Sequence, residues 1–192
     1  MALLSASVSI CGAGDVAVTA GLYLAAAGVG CLRVSSAAAE AIEGANPDCH
    51  VIRLATHTAV DAVEGAAAVL CAGADTATCA RLGAACVDVG VPWLIGNVAD
   101  TSGWVRLCRG ADGPCTRCLA HAPEHSRCDY DPLAQMVAGM VGTLLATETI
   151  KVLLNLPSAA VSRQLVFEAL DGELRDAVVA TKRCCPLCGS GG

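Results

Sequence analysis

Short apolar runs alternate with segments of helical periodicity over the first 108 residues of the chain. The apolar runs predict buried strands at 6–11, 31–34, 51–54, 67–72, 92–98 and 103–108. Between them the pattern predicts a helix that runs to about Gly28, a helix over 35–45 and a helix over 75–89. Strands that alternate with helices are typical of parallel β-α-β winding. We therefore expect an α/β fold with a doubly wound, mainly parallel, Rossmann-like sheet.

The remainder of the chain has a different character. Residues 109–131 are polar and rich in Cys, Pro and His, which predicts a crossover loop. Residues 132–154 have apolar side chains at helical spacing, and we expect Met136 and Met140 to lie in the core.

The last residues predict a hairpin and a tail. The runs 161–169 and 173–180 flank an Asp-Gly pair, which favours an antiparallel hairpin. Residues 181–192 are rich in cysteine and glycine. No internal repeat is present, and we interpret residues 1–192 as a single domain.

Composition narrows the class of protein. The 192 residues include 12 basic and 18 acidic side chains, a net charge of −6, which disfavours nucleic acid and anionic membranes as partners. The sequence has no uninterrupted apolar run of about 18 residues, so a transmembrane helix is not expected. The first residues lack the basic region of a signal peptide, and we expect a cytoplasmic protein.

The chain has 13 cysteines, an odd number that does not suit a disulfide scaffold. Free cysteine is among the most buried residue types, so cysteines inside apolar segments are expected in the core. These are Cys11, Cys31, Cys71, Cys86 and Cys108.

Four of the other cysteines form two Cys-x-x-Cys pairs. Cys115 and Cys118 make one pair, and Cys185 and Cys188 make the other. Two such turns complete a tetrahedral site of four thiolates, typical of structural zinc, with no position open for catalysis. The zinc would join the 109–131 loop to the C-terminal knuckle. A redox dithiol is the alternative, and Cys184 could substitute for Cys185.

The glycine-rich turn after the first predicted strand is the second chemical signal. Gly12 and Gly14 fit the Gly-x-Gly-x-x-Gly/Ala dinucleotide fingerprint between a strand and a helix. Such a turn lets a phosphate approach the helix N-terminus. A plain strand-to-helix turn is the alternative, with Asp15 as a helix-capping residue rather than a neighbour of phosphate.

Several segments resemble the ThiF/MoeB/HesA family, bacterial relatives of ubiquitin-activating enzymes. The resemblance begins with GAGDVAVTAGLYLAAAGVGCLRV and continues through VGVPWLIGNVADTSGWVRL and GPCTRCL. It ends with VAGMVGTLLATETIKVLL and CCPLCG. The resemblance implies a structural zinc, a homodimer, and binding of ATP and Mg²⁺. It also implies adenylation of the C-terminal glycine of a ubiquitin-like sulfur carrier or of a peptide.

The chain departs from that family's pattern in its ATP site. After Val34 the sequence passes directly into a later helix, and a segment of roughly thirty residues that carries the acidic ribose-binding group, an Arg and a Lys is missing. The family's Mg²⁺-binding Asp corresponds to Ala74, so Asp75 lies one residue late. The following Arg corresponds to Cys79, and Arg81 lies two residues away.

Cys128 is the candidate for covalent chemistry. It follows Cys118 by ten residues, in a segment with His121 and His125. The resemblance implies that a cysteine here accepts the activated carrier, and nearby imidazole or cationic groups would favour its thiolate. The alternatives are an exposed loop cysteine or a spare metal ligand.

Three functions stay open at this point. The first is a degenerate family member that binds a carrier protein, peptide or partner enzyme without adenylating it, with acyl or sulfur transfer at Cys128. The second is an active ATP-dependent adenylyltransferase completed by a partner subunit. The third is a structural zinc protein within a biosynthetic complex. Gly12, Gly14 and Asp75 would form the vestigial nucleotide site of the first.

Overall fold

A single mixed β-sheet forms the centre of the molecule. The computed structural model describes residues 3–54, 58–108, 132–157 and 163–178. Within them the strands are β1 (Ser7–Gly12), β2 (Cys31–Ser35), β3 (His50–Leu54), β4 (Ala68–Ala72), β5 (Trp93–Ala99), β6 (Ser102–Cys108), β7 (Arg163–Glu168) and β8 (Glu173–Val178). The helices are α1 (Asp15–Ala26), α2 (Ser36–Ile42), α3 (Ala59–Val63), α4 (Thr76–Val89) and α5 (Pro132–Leu153).

The strand order is β3-β2-β1-β4-β5-β6-β7-β8. The strands from β3 to β5 pair in parallel, and those from β5 to β8 pair antiparallel. The predicted parallel sheet and the predicted C-terminal hairpin are both confirmed. The antiparallel part starts earlier than the alternating pattern suggests, because β5 and β6 are joined directly at Asp100 and Thr101. A parallel return would need a crossover of about a dozen residues.

Helices cover both faces of the sheet, as the doubly wound prediction requires. One buried cluster includes side chains of α1, α2 and α5, and the other includes those of α3 and α4. Successive strand residues contribute to opposite clusters: Ile10 to the first, for example, and Cys11 to the second. The sequence pattern missed α3, whose five residues are too few to show helical periodicity.

The cysteine prediction holds at four of five positions. Cys11, Cys71, Cys86 and Cys108 are buried. Cys31 is only partly buried, so its placement in the core was wrong. It is the first residue of β2, where the strand enters the sheet.

The two methionines of α5 are exposed, so their assignment to the core was also wrong. Met136 is 65% exposed and Met140 is 41% exposed. The sheet-facing side of the helix is made instead by Val137, Val141 and Leu145, which recur every four residues. The helix is apolar around much of its circumference, so periodicity alone did not reveal which side faces the core.

Helix α5 is the central packing element on its face. By length and composition it could cross a membrane, but half of its most apolar window is buried inside the protein, as in a core helix. Glu148 and Lys151 of this helix form an ion pair one turn apart, with Nζ 2.6 Å from Oε1.

Helices α1 and α5 are in close contact at Gly142. A Cβ atom at this position would lie 2.7 Å from the Cβ of Thr19 and 2.8 Å from the carbonyl oxygen of Val16. The backbone of α1 leaves no space for it. Gly139, one turn earlier on the same helix, has no atom of the described residues within 4 Å of the corresponding position.

We expect Gly142→Ala to lower the free energy of unfolding by about 1–3 kcal/mol, because the added methyl forces the two helices apart. Gly139→Ala is the matched control, and the better helix propensity of alanine should raise stability by up to about 1 kcal/mol. Urea unfolding followed by circular dichroism measures both changes. Equal effects of the two substitutions would contradict the packing described for Gly142.

Candidate functional site

The candidate site lies where the winding of the sheet reverses. From β1 the chain continues to β2 and β3 on one side, whereas β4 and β5 lie on the other. The crevice beyond the carboxyl ends of β1 and β4 is the topological switch point, where open α/β sheets bind their ligands. The β1–α1 turn and the β4–α4 turn meet there.

The two glycines of the β1–α1 turn have different roles. Gly12 has a φ of 141°, and a Cβ atom there would lie 1.9 Å from the carbonyl oxygen of Ala72. Gly12 therefore permits the close pairing of β1 and β4. Gly14 has a φ of 75°, and a Cβ atom there would have no atom of the described residues within 4 Å. It is the N-cap of α1, and none of the described side chains caps the helix.

Asp15 is exposed and is the first residue of α1 rather than its cap. Its carboxylate stands in the first turn, where a negative charge interacts favourably with the helix dipole. The same charge opposes a phosphate at this position. Of the alternatives open for Asp15, side-chain capping is therefore wrong.

Strand β2 runs directly into α2. The strand ends at Ser35 and the helix begins at Ser36, so no connecting segment separates them. Ser35 is the N-cap of α2, and its buried hydroxyl oxygen has no hydrogen-bond partner among the described residues. Arg33 on the same strand donates to the carbonyl oxygens of Asp61 and Glu64 and so caps the end of α3.

Asp75 caps α4. Its Oδ1 accepts a hydrogen bond from the backbone N–H of Thr78 at 2.8 Å, and its Oδ2 accepts one from the Thr78 hydroxyl at 2.9 Å. The backbone hydrogen bond from Thr78 is the main reason that the pKa of the Asp75 carboxyl lies below its usual value. The carboxylate that the sequence suggested for Mg²⁺ is therefore already engaged in helix capping.

Arg81 brings a cation to this turn. It is exposed, and its Nη2 donates to the Thr78 hydroxyl oxygen at 3.1 Å. Its charge also contributes to the lowered pKa of Asp75. Arg81 is two residues from the family position, but it lies one helical turn after Thr78, and its guanidinium reaches back toward the cap.

Asn97 at the end of β5 is a residue that the sequence analysis missed. Its side-chain N–H₂ donates to the carbonyl oxygen of Ala74 at 3.3 Å, and its side-chain oxygen accepts from the N–H of Val98 at 2.9 Å. It thereby holds the β4–α4 turn against the neighbouring strand. A polar amide in an otherwise apolar strand was the one available signal.

The other predicted site residues lie outside the described residues. They are Cys115, Cys118, Cys128, Cys184, Cys185, Cys188, His121 and His125. The zinc site and the acceptor cysteine therefore stay predictions. Within the described ranges, no group of three or more His, Cys, Asp or Glu side chains could hold a metal ion.

Comparison with known proteins identifies relatives over the whole chain. The model of the ThiF family matches residues 33–188. The SAMP-activating enzyme E1 of Haloferax volcanii is 30% identical over 224 residues, covering 99% of this chain and 83% of the relative. The sulfur carrier protein adenylyltransferase of Thermus thermophilus is 26% identical, and the match covers 97% of this chain and 83% of the relative. The adenylyltransferase and sulfurtransferase MOCS3 of Drosophila willistoni is 28% identical, and the chain spans about half of its length.

The fold is shared with solved structures. Escherichia coli MccB with MccA-N7isoASN superposes with a TM-score of 0.80 over 98% of this chain and 68% of that one, at 15% identity. The alignment with the Haloferax relative covers 224 residues, whereas this chain has 192. Positions of that relative are therefore missing from this chain.

The Asp75 cap predicts a pH-dependent stability. The pKa of the Asp75 carboxyl is lower in the folded protein than its unfolded value near 3.8. The charged cap therefore stabilises the fold fully above the unfolded pKa, and this stabilisation is lost as the pH falls through the folded pKa. At neutral pH Asp75→Ala should lower the free energy of unfolding by about 0.5–2 kcal/mol. Asp75→Asn should preserve most of the cap while removing this pH dependence, measured by urea unfolding between pH 7 and pH 3. A parallel pH profile for the wild type and Asp75→Asn would refute the assignment.

Proposed function

The chain belongs to the ThiF family, and on that premise we propose that it binds a ubiquitin-like sulfur carrier, a peptide or a partner enzyme without adenylating it alone. The relatives that match most of the chain are named as activating enzymes or adenylyltransferases of such carriers. Binding of a carrier or peptide is therefore the part of the proposal that the relatives support. The loss of adenylation rests on this chain's own residues.

The direct junction of β2 and α2 carries the proposal. In the family pattern, the acidic ribose-binding group and two phosphate-binding cations follow the second strand. Here the strand ends at Ser35 and the helix starts at Ser36, and the nearby guanidinium of Arg33 is bound to carbonyl oxygens of α3. The groups that would hold the ribose and phosphates are not supplied at this strand end.

The charge around the switch point supports the same proposal. ATP has about four negative charges near neutral pH and needs cations or Mg²⁺ around them. Asp15 and Asp75 place two carboxylates near the crevice, whereas Arg81 is the cation that the described residues place beside the Asp75 turn. These residues do not fit Mg·ATP well, so we derive no adenylation step for this chain.

One observation favours a second candidate function, an adenylyltransferase completed by a partner subunit. Arg81 lies closer to Asp75 than the sequence register suggests, and both are exposed. If a partner subunit supplied the missing cations, Asp75 could bind Mg²⁺ and Arg81 would already be placed beside it. In this candidate Asp75 would leave its cap to bind the metal.

Nucleotide binding and exchange distinguish the two candidates. We expect no ATP–pyrophosphate exchange above background with a sulfur carrier that ends in Gly-Gly, and a Kd for Mg·ATP weaker than about 1 mM by calorimetry. The carrier itself should bind, measured by anisotropy against a control carrier that lacks the last glycine. Exchange that is lost in Arg81→Ala would overturn the proposal and support the second candidate. Failure to bind any carrier would favour the third hypothesis, a structural zinc protein.

Cys128 is our candidate acceptor for an acyl or sulfur group, and the same mixtures can be examined by intact mass. A covalent carrier adduct on the wild type that is absent from Cys128→Ser would support this role. An adduct that survives the substitution would exclude it.

We also propose that Cys115, Cys118, Cys185 and Cys188 bind a structural zinc ion. Purified protein should contain about one zinc per chain by elemental analysis. Cys115→Ser and Cys188→Ser should each lose most of it and unfold at lower temperature, because a site of four thiolates needs every ligand. Cys128→Ser is the matched control and should retain zinc. Equal zinc loss in the control would include Cys128 among the ligands.

A further inference from the structure

A stripe of mostly apolar residues runs along one exposed side of α5. Met136 and Met140 of this helix are 65% and 41% exposed, and Leu154, directly after it, is 40% exposed. Single apolar residues on a surface need no explanation, but a contiguous stripe indicates an interaction surface. We use the name α5 stripe for the series Met136, Met140, Thr143, Thr147, Ile150 and Leu154.

The α5 stripe has the spacing of a heptad. Its members are four, three, four, three and four residues apart. Residues spaced in this way occupy the a and d positions of a heptad, which align on one side of a helix and pack against a second helix. The backbone N–H of Leu154 donates to the carbonyl oxygen of Ile150 at 2.9 Å, so the helical geometry includes the last member. The core-facing residues Val137, Val141 and Leu145 form a separate series.

The polar groups of the α5 stripe are satisfied within the helix. The Thr143 hydroxyl donates to the carbonyl oxygen of Gly139 at 2.8 Å, and the Thr147 hydroxyl donates to the carbonyl oxygen of Thr143 at 2.9 Å. The charged residues between positions 132 and 154 are Glu148 and Lys151, which pair with each other, and Glu148 is buried. A side of this kind fits the apolar centre of a protein interface, where charged residues are depleted.

The α5 stripe is complementary to itself. Its positions are symmetrical about residue 145, so a second α5 that runs antiparallel, with a two-fold axis at that level, matches every member with another. The three matched pairs are Met136 with Leu154, Met140 with Ile150, and Thr143 with Thr147. Large apolar side chains meet each other, and threonine meets threonine. The isologous contact of a two-fold dimer requires such a match, and antiparallel helices also align their dipoles favourably.

Charge and area both favour a second copy as the occupant. Each chain has a net charge of −6, so two copies repel unless they meet where like charges do not oppose each other, and the α5 stripe itself is uncharged. Residues 136–154 rise about 27 Å along a helix about 12 Å wide. Tyr23, 55% exposed, lies one turn after the Thr19 that contacts α5 and extends this surface. Two copies would bury on the order of 1,000 Å², which is enough for a specific but modest interface.

We propose that α5 is a dimerisation helix and that two copies of this chain pair antiparallel along the α5 stripe. The resemblance to the ThiF/MoeB/HesA family implied a homodimer without a surface, and the α5 stripe supplies the surface and the register. The inference uses no residue of the switch-point crevice and does not depend on the proposed function. For a contact of this size we expect a dimer Kd of about 1–100 µM.

Sedimentation equilibrium of the full-length protein between about 1 and 300 µM tests the pairing. We expect the average mass to rise from one chain toward two. Met136→Glu and Leu154→Lys each place a charge against an apolar side chain of the copy, and each should weaken dimerisation at least about tenfold. Leu170→Glu, between β7 and β8 at a residue that is 75% exposed, is the matched control and should dimerise as the wild type does.

The double variant Met136→Glu, Leu154→Lys tests the register. In the antiparallel pair each new carboxylate meets a new ammonium group, so the double variant should dimerise about tenfold more tightly than either single variant. A parallel pair would bring each new charge against its own copy, and the double variant would then be weaker than both single variants. That result would refute the antiparallel register.

A mass of one chain at about 300 µM would overturn the proposal, and so would association that is unchanged in both single variants. Because α5 is long and apolar enough to enter a membrane, phosphatidylcholine vesicles are a further probe. Vesicle binding by a monomeric wild type that Met136→Glu abolishes would assign the α5 stripe to lipid instead. Met136 and Leu154 are exposed, so both variants should keep the circular dichroism spectrum of the wild type. Met140→Glu, opposite Ile150, replaces either one that fails to fold.

Discussion

The close approach of β1 and β4 is the constraint on which the rest of the structure depends. Gly12 allows the end of β1 to lie against the carbonyl group of Ala72, where any side chain would collide with the backbone. Gly73, with a φ of 65°, turns the chain away from β4 beside the carbonyl oxygen of Ala13. These contacts bring the β1–α1 and β4–α4 turns together. Everything at the switch point is therefore set by backbone packing before any ligand is considered.

The polar groups around this crevice mostly stabilise the fold itself. Asp75 caps α4, Arg33 caps α3, and Asn97 holds the β4–α4 turn. A carboxylate or guanidinium that already satisfies backbone groups costs free energy to redirect toward a ligand. These polar groups therefore hold the turns of the crevice in place, and the apolar clusters pack both faces of the sheet.

The cysteines show how position within a shared core changes chemical character. Cys11, Cys79 and Cys86 all lie in the cluster on the α3 and α4 face. Burial raises the pKa of Cys11 and Cys86, whereas the neighbouring thiol of Cys71 lowers the pKa of Cys79. The amino-acid composition does not distinguish these three cysteines. Their reactivity depends on which element each one occupies and which dipoles and donors surround it.

The sequence by itself determined the strands, the long helices, the parallel winding and the glycine turn at residues 12–14, because apolar periodicity and turn residues act locally. The family followed from motifs that also need no coordinates. Only the tertiary structure showed that Met136 and Met140 are exposed. It also showed that Asp75 caps α4 and that Arg81 donates to Thr78 beside this cap. Such pairings depend on how a helix rotates and docks against a strand, and a one-dimensional pattern does not contain that rotation when a helix is apolar on several sides.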